Sequence, residues 1–168
     1  MKFKLPIVVL VFITLFIVSA CGVSFAAVTS DGDSETAMRE VYDFMKSCGH
    51  YYLATVEGDQ PRVRPFGSLA IYEGKIYFQT GKIKDVSKQM SLNPKIEICA
   101  YDTKGNWLRV EAIAVEDNRL EAKQFMLDAH PELKSMYSAE DDNTQVLYLK
   151  DAVARFYSFS GEPKITKF

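Results

Sequence analysis

Residues that hold metals or attack substrates are scarce in this chain. Two histidines, His50 and His130, and three cysteines, Cys21, Cys48 and Cys99, are spread over 168 residues. No zinc set can be drawn from them, and no serine–histidine–aspartate or cysteine–histidine arrangement is readable. An excess of charge of one sign is also missing. Twenty lysines and arginines stand against 22 acidic residues, a net charge of −2. No face of the sequence is uniformly basic, which argues against a nucleic-acid partner. Interior linkers and internal repeats are absent too, so residues 34–168 read as one domain, long enough to enclose a core. Cys48 ends a predicted helix and Cys99 lies mid-strand. Both therefore read as structural thiols, although an oxidising compartment would let them pair.

Long apolar runs are equally rare, and the one that exists lies at the N-terminus. Lys2 and Lys4 precede an apolar run from Leu5 to Ala20 that ends in Val18-Ser19-Ala20-Cys21-Gly22. A positive start, an apolar segment and small residues before a cut make a secretory signal over residues 1–21. The ending resembles a bacterial lipobox, in which Cys21 is lipidated and becomes the mature N-terminus. Acyl chains on Cys21 would hold the domain at a membrane surface of the cell envelope. A competing cut after Ser24-Phe25-Ala26 would release a soluble secreted protein, and an uncleaved anchor is a third reading of a run short for a full span. Residues 22–33, rich in Gly, Ser, Thr and Asp, read as a flexible tether.

The rest is a series of short elements. Ser34 is placed to cap a helix with Met38, Val41, Tyr42 and Met45 at helical spacing, ended by Gly49. Strands are predicted over Tyr51–Glu57, Arg62–Tyr72 and Lys75–Thr80, with turns at Gly58-Asp59 and Glu73-Gly74, as an antiparallel meander. Asp85 caps a short helix to Leu92, stopped by Asn93-Pro94. Strands Lys95–Asp102 and Trp107–Glu116 follow, then a helix Arg119–Ala129, strands Val146–Leu149 and Ala152–Ser158, and a last strand from Lys164. The expected class is mainly β with peripheral helices (α+β), a small barrel with helices packed outside.

Positive charge is locally concentrated beside aromatics. Arg62-Val63-Arg64-Pro65-Phe66-Gly67 is followed by Tyr77-Phe78-Gln79-Thr80-Gly81-Lys82-Ile83-Lys84-Asp85, which runs into a helix start. Alternation along a strand puts Arg62, Arg64 and Phe66 on one face. Pro65 removes a ladder donor and suits an edge or a bulge. Arginines, lysines and a helix start hold anions, and strands offer a flat wall, so the pattern suits an anionic ligand with a planar body. Solvated arginines on an edge strand are the plainer alternative.

The order and spacing of further segments are more specific. Phe44-Met45-Lys46-Ser47-Cys48-Gly49, Tyr52 through Gly67, Lys84-Asp85-Val86 with Gln89-Met90, Asn93-Pro94-Lys95, Asn106-Trp107-Leu108-Arg109-Val110 and Phe156 through Pro163 together carry a resemblance over nearly the whole chain after the leader. The chain resembles the pyridoxamine 5'-phosphate oxidase-like family, FMN-binding split barrels that are usually homodimers. The resemblance implies an antiparallel split β-barrel that binds FMN through Arg62, Arg64, Pro65, Phe66, Thr80, Lys82, Lys84 and Gln89. Trp107 and Arg109 would cover the flavin from the second subunit. The implied activity is flavin-dependent oxidoreduction of a small substrate, with reduced nicotinamide as the expected donor. A non-catalytic flavin carrier or electron relay is the alternative, with deazaflavin or haem in place of FMN as further ones. Haem would need His50 or His130 as axial ligand.

Overall fold

A computed structural model describes residues 31–168, so Cys21, the leader and most of the predicted tether lie outside the described residues. The chain runs α1 (Asp31–Ser47), β1 (Tyr51–Glu57), β2 (Gln60–Phe66), β3 (Ala70–Tyr72), β4 (Lys75–Gly81), α2 (Asp85–Leu92), β5 (Lys95–Tyr101) and β6 (Trp107–Glu116). Then come α3 (Leu120–Ala129), a 3₁₀ helix (Pro131–Ser135), β7 (Thr144–Tyr157) and β8 (Lys164–Lys167). All eight strands belong to one antiparallel sheet in the order β2-β1-β5-β6-β7-β4-β3, with β8 on a second edge segment of β7. The sheet curls without closing, since β2 and β3 are not paired to each other. No described helix is long and apolar enough to cross a membrane.

Two packing faces explain the burial pattern. Inside the curl, Leu53, Phe78, Ile98, Leu108 and Val110 meet Val41 and Met45 of α1 and Met90 of α2. Outside it, Tyr77 and Val146 take the cover of Ala122 and Met126 of α3. β4 is therefore buried on both faces from Ile76 onward, which is why its sequence shows no polar alternation. Full burial of a side chain such as Phe78 contributes about 2–3 kcal/mol of transfer free energy.

Several expectations are corrected. The predicted strand Arg62–Tyr72 is two strands, because Gly67-Ser68-Leu69 leave the ladder between β2 and β3. The meander is likewise replaced: β2 pairs only with β1, while the other neighbours of β1 and β4 are β5 and β7. The two strands predicted over 146–158 are one. Their apparent break at Lys150-Asp151 is a β-bulge, in which Asp151 adopts φ 53° and Ala112 of β6 stands opposite two residues. Ser34 lies inside α1 and does not cap it, and residues 31–33 of the predicted tether are helical. Asp85 is not the cap of α2; Lys84 holds that position without a side-chain bond, and Asp85 pairs with Lys88 at 3.0 Å.

The join between β6 and α3 is fixed by Asp117, 8% exposed. Its carboxylate accepts the Tyr77 hydroxyl at 3.0 Å and the Arg119 guanidinium at 2.8–3.2 Å. Arg119 also reaches Glu73 in the β3–β4 turn at 2.7 Å. The Arg119 bonds hold the Asp117 pKa down at about 2, from an ordinary 3.8. A depressed carboxylate stabilises the fold fully above its unfolded pKa, and the contribution is lost as pH falls through the folded value. Here that contribution is about 2 kcal/mol, present above about pH 4 and lost towards pH 2. Asp117→Asn should lower stability in urea by about that amount at pH 7, and the gap from wild type should close as pH falls from 4 to 2.

Candidate functional site

A cleft of about 430 Å³ opens where the ends of β2 and β4, the start of α2 and the 3₁₀ region converge. Its volume lies within the ~300–1,000 Å³ usual for small-molecule sites. One wall is Arg64-Pro65-Phe66-Gly67-Ser68, and the floor carries Gln79, Thr80 and Val86. Lys84 stands at one side, and Leu133, Met136 and Tyr137 form the far wall.

The Phe66 wall is held by aromatic packing and by the strand break. Its ring stacks on Tyr51 at 5.8 Å and meets Phe78 edge-on at 5.8 Å. Tyr51 is fully buried, which pushes its phenol far above the usual tyrosine range, and its hydroxyl donates to the Ser68 carbonyl at 2.8 Å. The Ser68 hydroxyl accepts the Gln79 N–H at 3.1 Å. His130 is 5% exposed and clasps the same segment. Its Nε2 accepts the Leu69 N–H at 2.9 Å, and its Nδ1 lies 3.1 Å from Glu132. Both ring nitrogens are thereby engaged. His50 is exposed at the cleft rim.

Glycine 81 lets the far wall close. A Cβ there would meet Asn143 Oδ1 at 2.9 Å and the Tyr137 hydroxyl at 3.1 Å. Asn143 in turn accepts the Ile83 N–H through its side chain at 3.2 Å and the Lys82 N–H through its carbonyl at 2.7 Å. The turn that presents Lys84 is thus tied to the segment leading into β7.

A second, charged lobe of about 570 Å³ adjoins the cleft, sharing Arg64, Lys84 and Val86 and adding Arg62, Gln89, Glu57 and Asp85. Arg64 is half-buried and donates to Thr55 Oγ1 at 2.7 Å and Gln89 Oε1 at 2.8 Å. Burial, and then the neighbouring Arg62 charge, pull its pKa below the usual arginine value. Lys84 makes no ion pair among the described residues and lies 5.8 Å over the Tyr137 ring.

Of the sequence-predicted residues, Arg64, Pro65, Phe66, Thr80 and Lys84 come together in the cleft. Arg62 lies in the charged lobe, paired with Glu57 at 2.7 Å. Gln89 contacts Arg64 and Thr55 and does not line the main cleft. Lys82 turns to Glu116 at 2.9 Å and Asn118 at 3.0 Å. Trp107 and Arg109 lie outside the cleft of their own chain: Trp107 stacks on Tyr157 at 5.1 Å and Arg109 pairs with Glu97. Among the described residues no group of three or more His, Cys, Asp or Glu is placed to hold a metal ion.

Sequence reasoning missed Gln79, Thr55 and Tyr137. Gln79 lines the cleft at 4% exposure, and both atoms of its side-chain amide are buried without a hydrogen-bond partner. A polar side chain inside the run Tyr77-Phe78-Gln79-Thr80 was the available signal. Nothing in the sequence ties Tyr137 to a site nearly sixty residues earlier. A cation pair and an aromatic wall suit a phosphorylated planar ligand.

No family model and no curated protein match the chain. Among solved structures, a NimC/NimA family protein from Clostridium acetobutylicum is 42% identical, with a TM-score of 0.78 and coverage of 82% of this chain and 96% of its own. A protein related to general stress protein 26, of the pyridoxinephosphate oxidase family and from the same organism, is 15% identical. Its TM-score is 0.61, with 80% of this chain and 94% of its own covered. A heme binding protein from Mycobacterium smegmatis is 16% identical, with a TM-score of 0.58 over 83% of this chain and 59% of its own. The last two likenesses are of fold.

Gly81→Ala should push the Asn143 amide and the Tyr137 hydroxyl aside and cost about 1 kcal/mol through the lost Asn143–Ile83 hydrogen bond. Chemical denaturation measures the cost, and faster amide exchange at Lys82 and Ile83 marks the loosened turn.

Proposed function

The chain belongs to the NimC/NimA family and has the pyridoxamine 5'-phosphate oxidase-like split-barrel fold, and from that premise we propose that its cleft holds FMN in a flavin-dependent oxidoreductase acting on a small substrate. The observation that carries this reading is the half-buried Arg64, without a carboxylate partner, beside an aromatic wall and the unpaired amide of Gln79. Buried polar groups are normally paired, so an unpaired amide in a cleft argues for a ligand that completes it.

In this reading Arg64 and Lys84 take the phosphate, with Arg62 adding charge from the adjoining lobe. Phe66 and Pro65 flank the ring, while Thr80 meets its polar edge. The flavin supplies hydride or electron transfer when bound, and the protein supplies orientation and electrostatics. Glu132, also on the cleft, lies 3.1 Å from His130 Nδ1. Reduced nicotinamide is the proposed donor.

The outer sheet face is proposed as the docking surface of a second copy. Tyr52, Tyr101, Val63 and Phe159 are exposed on or beside it, and exposed apolar surface of this kind marks interaction sites. Trp107 and Arg109 lie on that face and would serve the neighbouring cleft. Lipidation at Cys21 would hold the dimer at the cell envelope.

One observation favours a second reading. His50 stands exposed at the cleft rim, and a fold relative is described as a heme binding protein. His130, with both nitrogens engaged, is not available as an axial ligand.

The purified protein, incubated with FMN and desalted, should keep the two visible flavin bands. The double variant Arg64→Ala, Lys84→Ala should stay folded and bind FMN at least about 100-fold more weakly, since each lost charge-assisted contact is worth about 1.5–3 kcal/mol. Unchanged retention by the double variant would sink the site assignment. A colourless wild type demotes the flavin reading, and a Soret band after haem addition promotes His50. Bleaching of the bands by NADH or NADPH separates an enzyme from a carrier without turnover.

A further inference from the structure

Arg64 differs from the other five arginines of the chain. Arg39, Arg62, Arg109, Arg119 and Arg155 each pair with a carboxylate. Arg64 is more buried than a free surface arginine and is held by two neutral oxygens, Thr55 Oγ1 at 2.7 Å and Gln89 Oε1 at 2.8 Å. Thr55 and Gln89 are 2% and 5% exposed. The threonine hydroxyl gives its proton to Gln89 Oε1 at 2.5 Å, so the two acceptors are tied to each other as well as to the guanidinium.

The two acids that line this lobe are each paired with another cation. Glu57 is taken by Arg62 at 2.7 Å and Asp85 by Lys88 at 3.0 Å. A guanidinium has five N–H donors, and the clamp uses two. The fold thus fixes the direction of Arg64, spends part of its hydrogen-bonding capacity and leaves it without a direct ion pair among the described residues, with Asp85 and Glu57 acting on it only from a distance. A glutamate in place of Gln89 would bond as well and would neutralise it. A partly buried cation without a counter-ion is costly, so its retention points to an anion supplied from outside.

We propose that Thr55 and Gln89 are positioning residues, a neutral clamp that aims Arg64 while keeping its charge free, so that the cleft selects a phosphate monoester over the same ligand without phosphate. This rests on the reading of the cleft as a flavin site, and FMN and riboflavin are the pair of ligands that isolates the phosphate. If Gln89 served only to pack α2 on β1, changes there would act on both ligands alike.

The test compares the full chain with Gln89→Glu and Thr55→Val, titrating FMN and riboflavin by flavin fluorescence and following thermal unfolding with and without inorganic phosphate. Gln89→Glu should weaken FMN about tenfold or more, as expected for one neutralised charge-assisted contact, with riboflavin nearly unchanged. Thr55→Val should weaken FMN by a smaller factor with the same selectivity. Inorganic phosphate should raise the thermal midpoint of wild type and not that of Gln89→Glu. A parallel shift of FMN and riboflavin in both variants, or FMN affinity untouched by Gln89→Glu, overturns the clamp. If wild type binds neither flavin, the cofactor reading fails by itself. The clamp then stands or falls on the phosphate arm, where an equal response of wild type and Gln89→Glu defeats it.

Discussion

Strand β7 carries ladders on both edges, and on one of them it changes partner midway, at Asp151. Along its first half the strand pairs with β4, from Gly81 opposite Thr144 to Tyr77 opposite Tyr148. Along its second half the same edge pairs with β8, from Val153 opposite Lys167 to Phe156 opposite Lys164. Between the two, Asp151 takes a left-handed conformation at φ 53°. That conformation costs a non-glycine residue about 1–2 kcal/mol, and aspartate tolerates it better than most. The added twist of the bulge lets one strand bend around the core. Without it, β4 and β8 could not share an edge, and the end of β4 that carries Gln79 and Thr80 would lose its neighbour.

Around that frame the cleft is assembled from segments that leave regular structure. Gly67-Ser68-Leu69 departs from the ladder and is caught by Tyr51, Gln79 and His130. The far wall is anchored through Asn143 to the turn after β4. The contacts that catch Gly67-Ser68-Leu69 are buried and directional, so they fix that wall to within hydrogen-bond tolerance. The charged part of the site follows a different logic. Arg62, Lys82 and Arg109 are satisfied by acids, while Arg64 and Lys84 are not. Charge in the basic cluster is thereby divided between residues that hold the surface together and residues left for a ligand.

Much of the fold was legible because it rests on local signals. The apolar spacing of Met38, Val41 and Met45 marked α1, Asn93-Pro94 marked the end of α2, and Gly58-Asp59 marked the β1–β2 turn. The misreadings share one cause. Ser68-Leu69 and Lys150-Asp151 were judged by neighbouring residues, while their conformations are set by partners distant in the chain: His130 for the first, and β6 with β8 for the second. In the site, Arg64, Phe66, Thr80 and Lys84 were readable from residue type and order. Lys82 was not separable from Lys84, because the difference is an acid at position 116 that only folding brings near.

The sequence by itself determined the class of the fold, the helix and turn positions, the aromatic and basic composition of the cleft, and the resemblance by which the family was recognised. These follow from periodicity, turn chemistry and residue order, all of which are local. Only the tertiary structure decided which strands pair, where β7 bends, and which cations are left without a direct ion pair. It also left the Gln79 amide unpaired and tied Gln89 to Arg64. Each of these depends on which groups meet across long separations in the chain, where the energy of a contact is set by the partner as much as by the residue.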